Sequence, residues 1–189
     1  MLPVSKAEAV AVQGESRAFR VWREIFLIAG ASLFVALCAR VTLPLPFTPV
    51  PLSLQNFGVL LVGLLLGSRR GFAALLLYLL EGSAGLPVFA ANSAGLFGPT
   101  GGYLIAYPAV AFVAGWLRER AQRSFARYAL ACVAGEVLLF AAGVSWIVVF
   151  LRQPLAQAAV FGLYPFLAAE VLKVSAAAGI ATRWHRKTS

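Results

Sequence analysis

Three ionisable side chains stand where the sequence is otherwise apolar, and they are the first candidates for chemistry: Glu136, Glu170 and Lys173. At membrane depth a charged side chain costs about 2.5–3.5 kcal/mol on insertion scales, so each needs a partner or a cavity. Glu170 and Lys173 are three residues apart, a spacing that puts both on one helix face. They read either as an internal ion pair that neutralises itself, or as a site offering an acceptor and a cationic donor to a small polar ligand. The second reading accounts for two charges in one apolar helix, and Tyr164-Pro165, just upstream, bends that helix and opens it toward the connecting loops. Glu136 reads as a structural partner for a loop or a helix end.

A catalytic constellation is missing from the pattern. The single histidine, His185, falls in a basic terminal stretch, and no Ser or Cys has a nearby base. There is no HExxH and no spacing of metal ligands, so neither a catalytic residue nor a metal is expected. Cys38 and Cys132 lie in apolar blocks and read as small core hydrophobes. The Lys187-Thr188 pair follows Arg186 and not a glycine-rich turn, which leaves no phosphate loop. A chain of this kind binds or transports; it is not an enzyme, and active uptake would draw its energy from a partner.

The elements that must position these residues are membrane helices. The 189 residues are 61% hydrophobic and 12% charged, a composition that excludes a soluble globular domain. Apolar segments at about 21–40, 52–67, 71–80, 102–117, 128–151 and 155–181 predict an all-α protein with six transmembrane helices. The third, only ten residues long, ends early against the loop that follows it. Residues 1–20 form an N-terminal cytoplasmic tail without a signal-peptide core, 21–182 the membrane domain, and 183–189 a basic cytoplasmic tail. The +9 charge gives no nucleic-acid surface, because the basic residues flank apolar blocks instead of alternating with aromatics.

Two connections carry almost no charge. Residues 40–51 place Pro44, Pro46, Pro49 and Pro51 after Arg40, which forbids helix. Residues 81–103 hold six glycines and two prolines and no charge after Glu81. Irregular backbone of this sort cannot face lipid, so it folds into protein and walls a cavity, with Asn92, Ser93 and Thr100 as hydrogen-bonding groups. Gln55 and Asn56, two amides at the start of the second span, need partners or a ligand. The basic residues collect on the other side, at Arg69, Arg70, the 118–127 cluster and the two tails, which puts both termini in the cytoplasm and the Gly/Pro-rich loops outside. On the first span, Ser32 and Ala36 form a small-xxx-small pair suited to close helix contact, either within the chain or with a partner.

The order Pro44-Leu-Pro-Phe-Thr-Pro-Val-Pro51, Gln55, Gly85-Leu-Pro-Val-Phe89 and Gly98-Pro-Thr-Gly-Gly-Tyr103 resembles the BioY family, over roughly residues 25–181. These are the biotin-specific substrate-binding (S) components of energy-coupling-factor vitamin transporters. The resemblance implies high-affinity capture of biotin from outside, in a bacterial cytoplasmic membrane and with no cofactor. It further implies a transmembrane coupling protein and two cytoplasmic ATPase subunits as partners, with Ser32 and Ala36 at the coupling-protein contact. It places Asn92, Glu170 and Lys173 at the biotin site, with Glu170 standing where the family usually has Asp. The ureido ring offers two N–H donors and a carbonyl, which Glu170 and Asn92 complement through charge-assisted bonds. Gln55 joins this site, and Phe47, Phe89 or Tyr103 suits the apolar sulfur ring. Lys173 serves either the valerate carboxylate or Glu170. An S component for another vitamin, or a facilitator acting without ATPases, is the alternative.

Overall fold

The computed structural model describes residues 17–90 and 94–187, and within them the chain is almost entirely helical. The α-helices are α1 Arg17–Arg40, α2 Gln55–Leu66, α3 Ser68–Ser83, α4 Gly101–Arg120, α5 Phe125–Leu151, α6 Leu155–Gly162 and α7 Leu167–Lys187. Short 3-10 turns at Gly95–Phe97 and Tyr164–Phe166 lead into α4 and α7. By length and apolar content, three segments suffice to cross a membrane: Arg17–Arg40, Phe125–Leu151 and the Leu155–Arg186 run; Gln55–Leu66 is a shorter apolar helix.

Several boundaries have a local cause. The proline-rich segment forms no helix; its ends close as a two-stranded antiparallel ladder, β1 Thr42–Leu43 against β2 Leu52–Ser53, with Thr42 opposite Ser53. Gly67 breaks α2 from α3 at φ 85°, a left-handed conformation that side chains rarely adopt. Pro165 breaks the last apolar run, so α6 ends at Gly162 and the chain resumes as α7. Helix α7 continues through the basic residues 183–187, which were expected as a tail; cations in a last turn suit the helix dipole.

Helix α4 is the hub, packed on α5, α3 and α2, while α7 packs on α5 and α2. The core runs through Val59, Leu60, Leu64, Leu75, Val110 and Ile147, all fully buried, together with the rings of Tyr78 and Tyr128. Outward-facing positions are apolar too: Leu33, Leu37, Leu130, Val137, Val149, Val171 and Leu172 are all exposed. A bundle that is apolar both inside and outside matches hydrocarbon, not water.

One expected surface is internal. Ser32 and Ala36 are buried, and α1 packs on α2 and α3. The Ser32 hydroxyl donates to Glu81 Oε2 at 2.5 Å. The small pair thus packs within its own chain, where the serine finds a polar partner at the end of α3. Farther along, Arg40 donates to the carbonyl of Pro87, tying the end of α1 to the loop that follows α3.

Candidate functional site

The proline-rich ladder, the start of α2, the start of α4, the middle of α5 and the start of α7 enclose one cavity, with an empty volume of about 580 Å³ counted to its mouth. Its apolar wall includes Tyr103, Leu104, Tyr107, Leu139, Phe140 and Phe166. Its polar wall carries Gln55, Asn56, Thr100, Glu170 and Lys173.

The polar groups form one network at its base. Lys173 Nζ donates to Glu170 Oε1 at 2.8 Å, and each of the two side chains is only 10% exposed. Glu170 Oε2 accepts from Asn56 Nδ2 at 2.9 Å. The same amide nitrogen donates to Glu136 Oε1 at 2.6 Å. Glu170 thus bonds the ammonium and the amide, and Glu136 shares the amide; the acceptor oxygens of this network suit a ligand that brings N–H donors. Beside it, Gln55 Nε2 donates to the Tyr78 hydroxyl at 2.7 Å, which donates in turn to the Val88 carbonyl at 2.9 Å. That chain ties the floor of the cavity to the loop that follows α3.

Three buried polar atoms lack a partner among the described residues: Asn56 Oδ1, Thr100 Oγ1 and Glu136 Oε2. An unsatisfied buried group costs about 1–3 kcal/mol, so their concentration at one place calls for a functional account.

Of the residues expected at the site, Gln55, Tyr103, Glu170 and Lys173 line the cavity. Asn92 lies outside the described residues. Phe47 does not line it: the prolines turn its ring outward and leave it 61% exposed, while neighbouring Thr48 anchors the turn by donating to the Phe161 carbonyl at 2.5 Å. Phe89 is also absent from the wall; it packs edge-on against Tyr78 at 5.3 Å between centroids, and Ala90 takes the cavity position. Tyr103 lines the wall while its hydroxyl is committed, donating to the Gly162 carbonyl at 2.6 Å. Glu136 does partner a helix end, since Asn56 is the second residue of α2, and through Asn56 it also joins the network. Tyr107, Phe140 and Phe166 were not foreseen as cavity residues. Tyr107 had a readable signal, since it stands one helical turn after Tyr103 in an apolar segment.

A helical membrane protein whose buried ion pair and amides meet an aromatic wall around one cavity is a binding protein for a small, partly polar molecule. The family model described as the BioY family matches residues 9–189. The chain is 37% identical over 170 residues to a probable biotin transporter of Pyrococcus horikoshii, covering 88% of this chain and 98% of that protein. It is 40% identical over 157 residues to a biotin transporter of Thermotoga maritima, covering 81% and 92% respectively. Its fold is shared with the crystal structure of the S-component for biotin from an ECF-type ABC transporter, with TM-score 0.81, 24% identity, and coverage of 92% of this chain and 95% of that one. The chain belongs to the BioY family.

Proposed function

We propose that this chain captures biotin at the outer face of the membrane as the substrate-binding component of an energy-coupling-factor transporter. It crosses the membrane six times with both termini cytoplasmic, and it works with a transmembrane coupling protein and two ATPase subunits. Family membership supports the transporter class. The observation that carries the ligand reading is the Glu170–Lys173 pair, nearly buried in the wall of a cavity whose other side is aromatic.

In this reading Glu170 accepts a ureido N–H, and Tyr103, Phe140 and Phe166 cover the apolar ring system. Lys173 holds Glu170 in its orientation through their 2.8 Å contact. Asn92, on the outer loop, completes the polar contacts to the ureido group. Nanomolar affinity corresponds to about −12 kcal/mol, which over roughly sixteen ligand heavy atoms stays within the efficiency ceiling for small ligands. Such efficiency requires a preformed, closed site.

The test is equilibrium binding of biotin to detergent-purified wild type, Glu170→Gln and Asn92→Ala. Tight wild-type binding is expected, with a loss of at least about 2 kcal/mol in each variant, since each leaves a buried ligand group unpaired. Tight binding that neither variant weakens would remove these residues from the site. A wild type that ignores biotin would overturn the ligand.

A further inference from the structure

We propose that Asn56 is a further ligand-recognising residue of this cavity, its amide carbonyl held as an acceptor for a ligand N–H, and that Glu136 is the positioning residue that holds it. The inference deepens the biotin reading and rests on it.

Asn56 is 6% exposed and forms part of the cavity wall. A side-chain amide has two N–H donors and one carbonyl. Both side-chain hydrogen bonds of Asn56 leave from its nitrogen, to Glu136 Oε1 at 2.6 Å and to Glu170 Oε2 at 2.9 Å. The reverse orientation would set the carbonyl oxygen 2.9 Å from Glu170 Oε2, a carboxyl oxygen of the Lys173-paired acid, so that contact selects one flip. The consequence is that Oδ1 turns away from both carboxylates and, among the described residues, has no partner. Thr100 Oγ1, on the same wall, is likewise unpartnered. A hydroxyl adapts by rotating, to donate or to accept. An amide carbonyl only accepts, so it selects a ligand that brings an N–H.

Glu136 acts through Asn56. It comes from α5 and is absent from the cavity wall; it lines an outer groove between α5 and α7 instead. Glu170 is shared between Asn56 and Lys173, and in the proposed complex it also receives a ligand donor. Glu136 is then the hold on Asn56 that the ligand does not contest. A cyclic urea, with two N–H groups on adjacent ring positions, is matched by two acceptors: the Glu170 carboxylate for one and Asn56 Oδ1 for the other.

The experiment measures binding of biotin and of its two ureido-N-methyl isomers to the full chain in detergent, as wild type, Asn56→Ala, Glu136→Leu and Glu136→Gln. Wild type is expected to reject each isomer by about 30-fold or more, the scale of a buried acceptor left unpaired. Asn56→Ala is expected to weaken biotin similarly and to become indifferent to methylation at one nitrogen while still rejecting the other isomer. Glu136→Leu is expected to lose the same discrimination in part, and Glu136→Gln, whose amide oxygen still accepts from Asn56, to restore it. A wild type that binds biotin and either methyl isomer equally overturns the proposal without any variant having to fold. Biotin binding in Asn56→Ala with full rejection of both isomers overturns the role of Asn56, and wild-type discrimination in Glu136→Leu overturns the positioning role. Absence of biotin binding in wild type overturns this proposal together with the reading beneath it.

Discussion

At the turn from α2 to α3 each helix end meets a side chain of opposite charge; at the cavity, three buried oxygens have no partner among the described residues. Arg118 of α4 donates to the Leu64 and Leu65 carbonyls at 2.7 and 3.0 Å, where α2 ends and its carbonyls are left open. The next residue, Glu119, accepts from the Ser68 backbone N–H at 2.7 Å and from its hydroxyl at 3.1 and 2.9 Å, where α3 begins. A cation meets the negative end of one helix dipole and a carboxylate the positive end of the next, both from a single turn of α4. The cavity network is built from similar groups, yet it leaves Asn56 Oδ1, Thr100 Oγ1 and Glu136 Oε2 unpaired. The turn uses its polar groups to fix the fold; the cavity holds its acceptors ready at a cost in stability. Substitutions at the turn should therefore change stability and leave ligand affinity alone, and the reverse should hold in the cavity.

The largest effect is expected at Gly115. A Cβ there would lie 2.5 Å from Gly67 C and Ser68 N and 2.8 Å from Ser68 Cα, all of it backbone with no side chain to move aside. Gly115→Val should destabilise the bundle by about 3 kcal/mol or more, through overpacking that separates α4 from the turn. Thermal unfolding in detergent measures this. A folded Gly115→Val with an unchanged midpoint would show that the turn is not the rigid end, and the comparison would break.

What was legible in the sequence, and what was not, follows the same division. The i, i+3 spacing put Glu170 and Lys173 on one face, and the two are bonded. Prolines marked the non-helical segment before α2 and the break before α7, because a missing N–H acts locally. The start of α3 was placed three residues too late, at 71 instead of Ser68, because what caps it is Glu119, 51 residues away. Glu136 was set apart from the site for the same reason: its partner Asn56 is 80 residues distant, and no local pattern joins α2 to α5. The spacing of Ser32 and Ala36 announced a close-packing face but could not show the tertiary bond from Ser32 to Glu81, 49 residues away. Phe47 was expected against the apolar sulfur ring of the ligand, and its outward direction is a property of the folded turn alone.

A smaller effect, dependent on pH, is expected at Glu119, which lies past the apolar part of α4. Burial alone would raise its pKa, but the Ser68 N–H and hydroxyl, with Arg118 and Arg120, outweigh that and hold it below the ordinary value of 4.5. A carboxylate depressed on folding contributes stability that is present above the unfolded value and is lost as pH falls through the folded one. Wild type should therefore lose thermal stability below about pH 4.5 in a way that Glu119→Gln does not. At neutral pH Glu119→Gln should cost about 1 kcal/mol, the usual range of a helix-start contact. Biotin affinity at neutral pH should stay within about twofold, since a difference under 0.4 kcal/mol is what separate sites transmit. A Glu119→Gln that loses affinity more than stability would join the turn to the cavity and end the contrast between them.

The smallest effect, and one of opposite sign, is expected at Gly30. It lies in the middle of α1, and a Cβ there meets no atom within 4 Å. Its neighbours on that face, Phe26, Leu33 and Leu37, are exposed, as lipid-facing side chains are. With no contact to disturb, Gly30→Ala changes only the backbone freedom of a helix interior, for which glycine is disfavoured by about 0.5–1 kcal/mol. The variant should be as stable as wild type or slightly more so, with biotin affinity unchanged. Set beside Gly115, it separates the two reasons a helix carries glycine. One position needs the missing side chain for close approach at the turn; the other tolerates it on an open face. A Gly30→Ala that unfolds as readily as Gly115→Val would mean that α1 has a tightly packed neighbour on that face, and the seating of α1 on α2 and α3 would have to be redrawn.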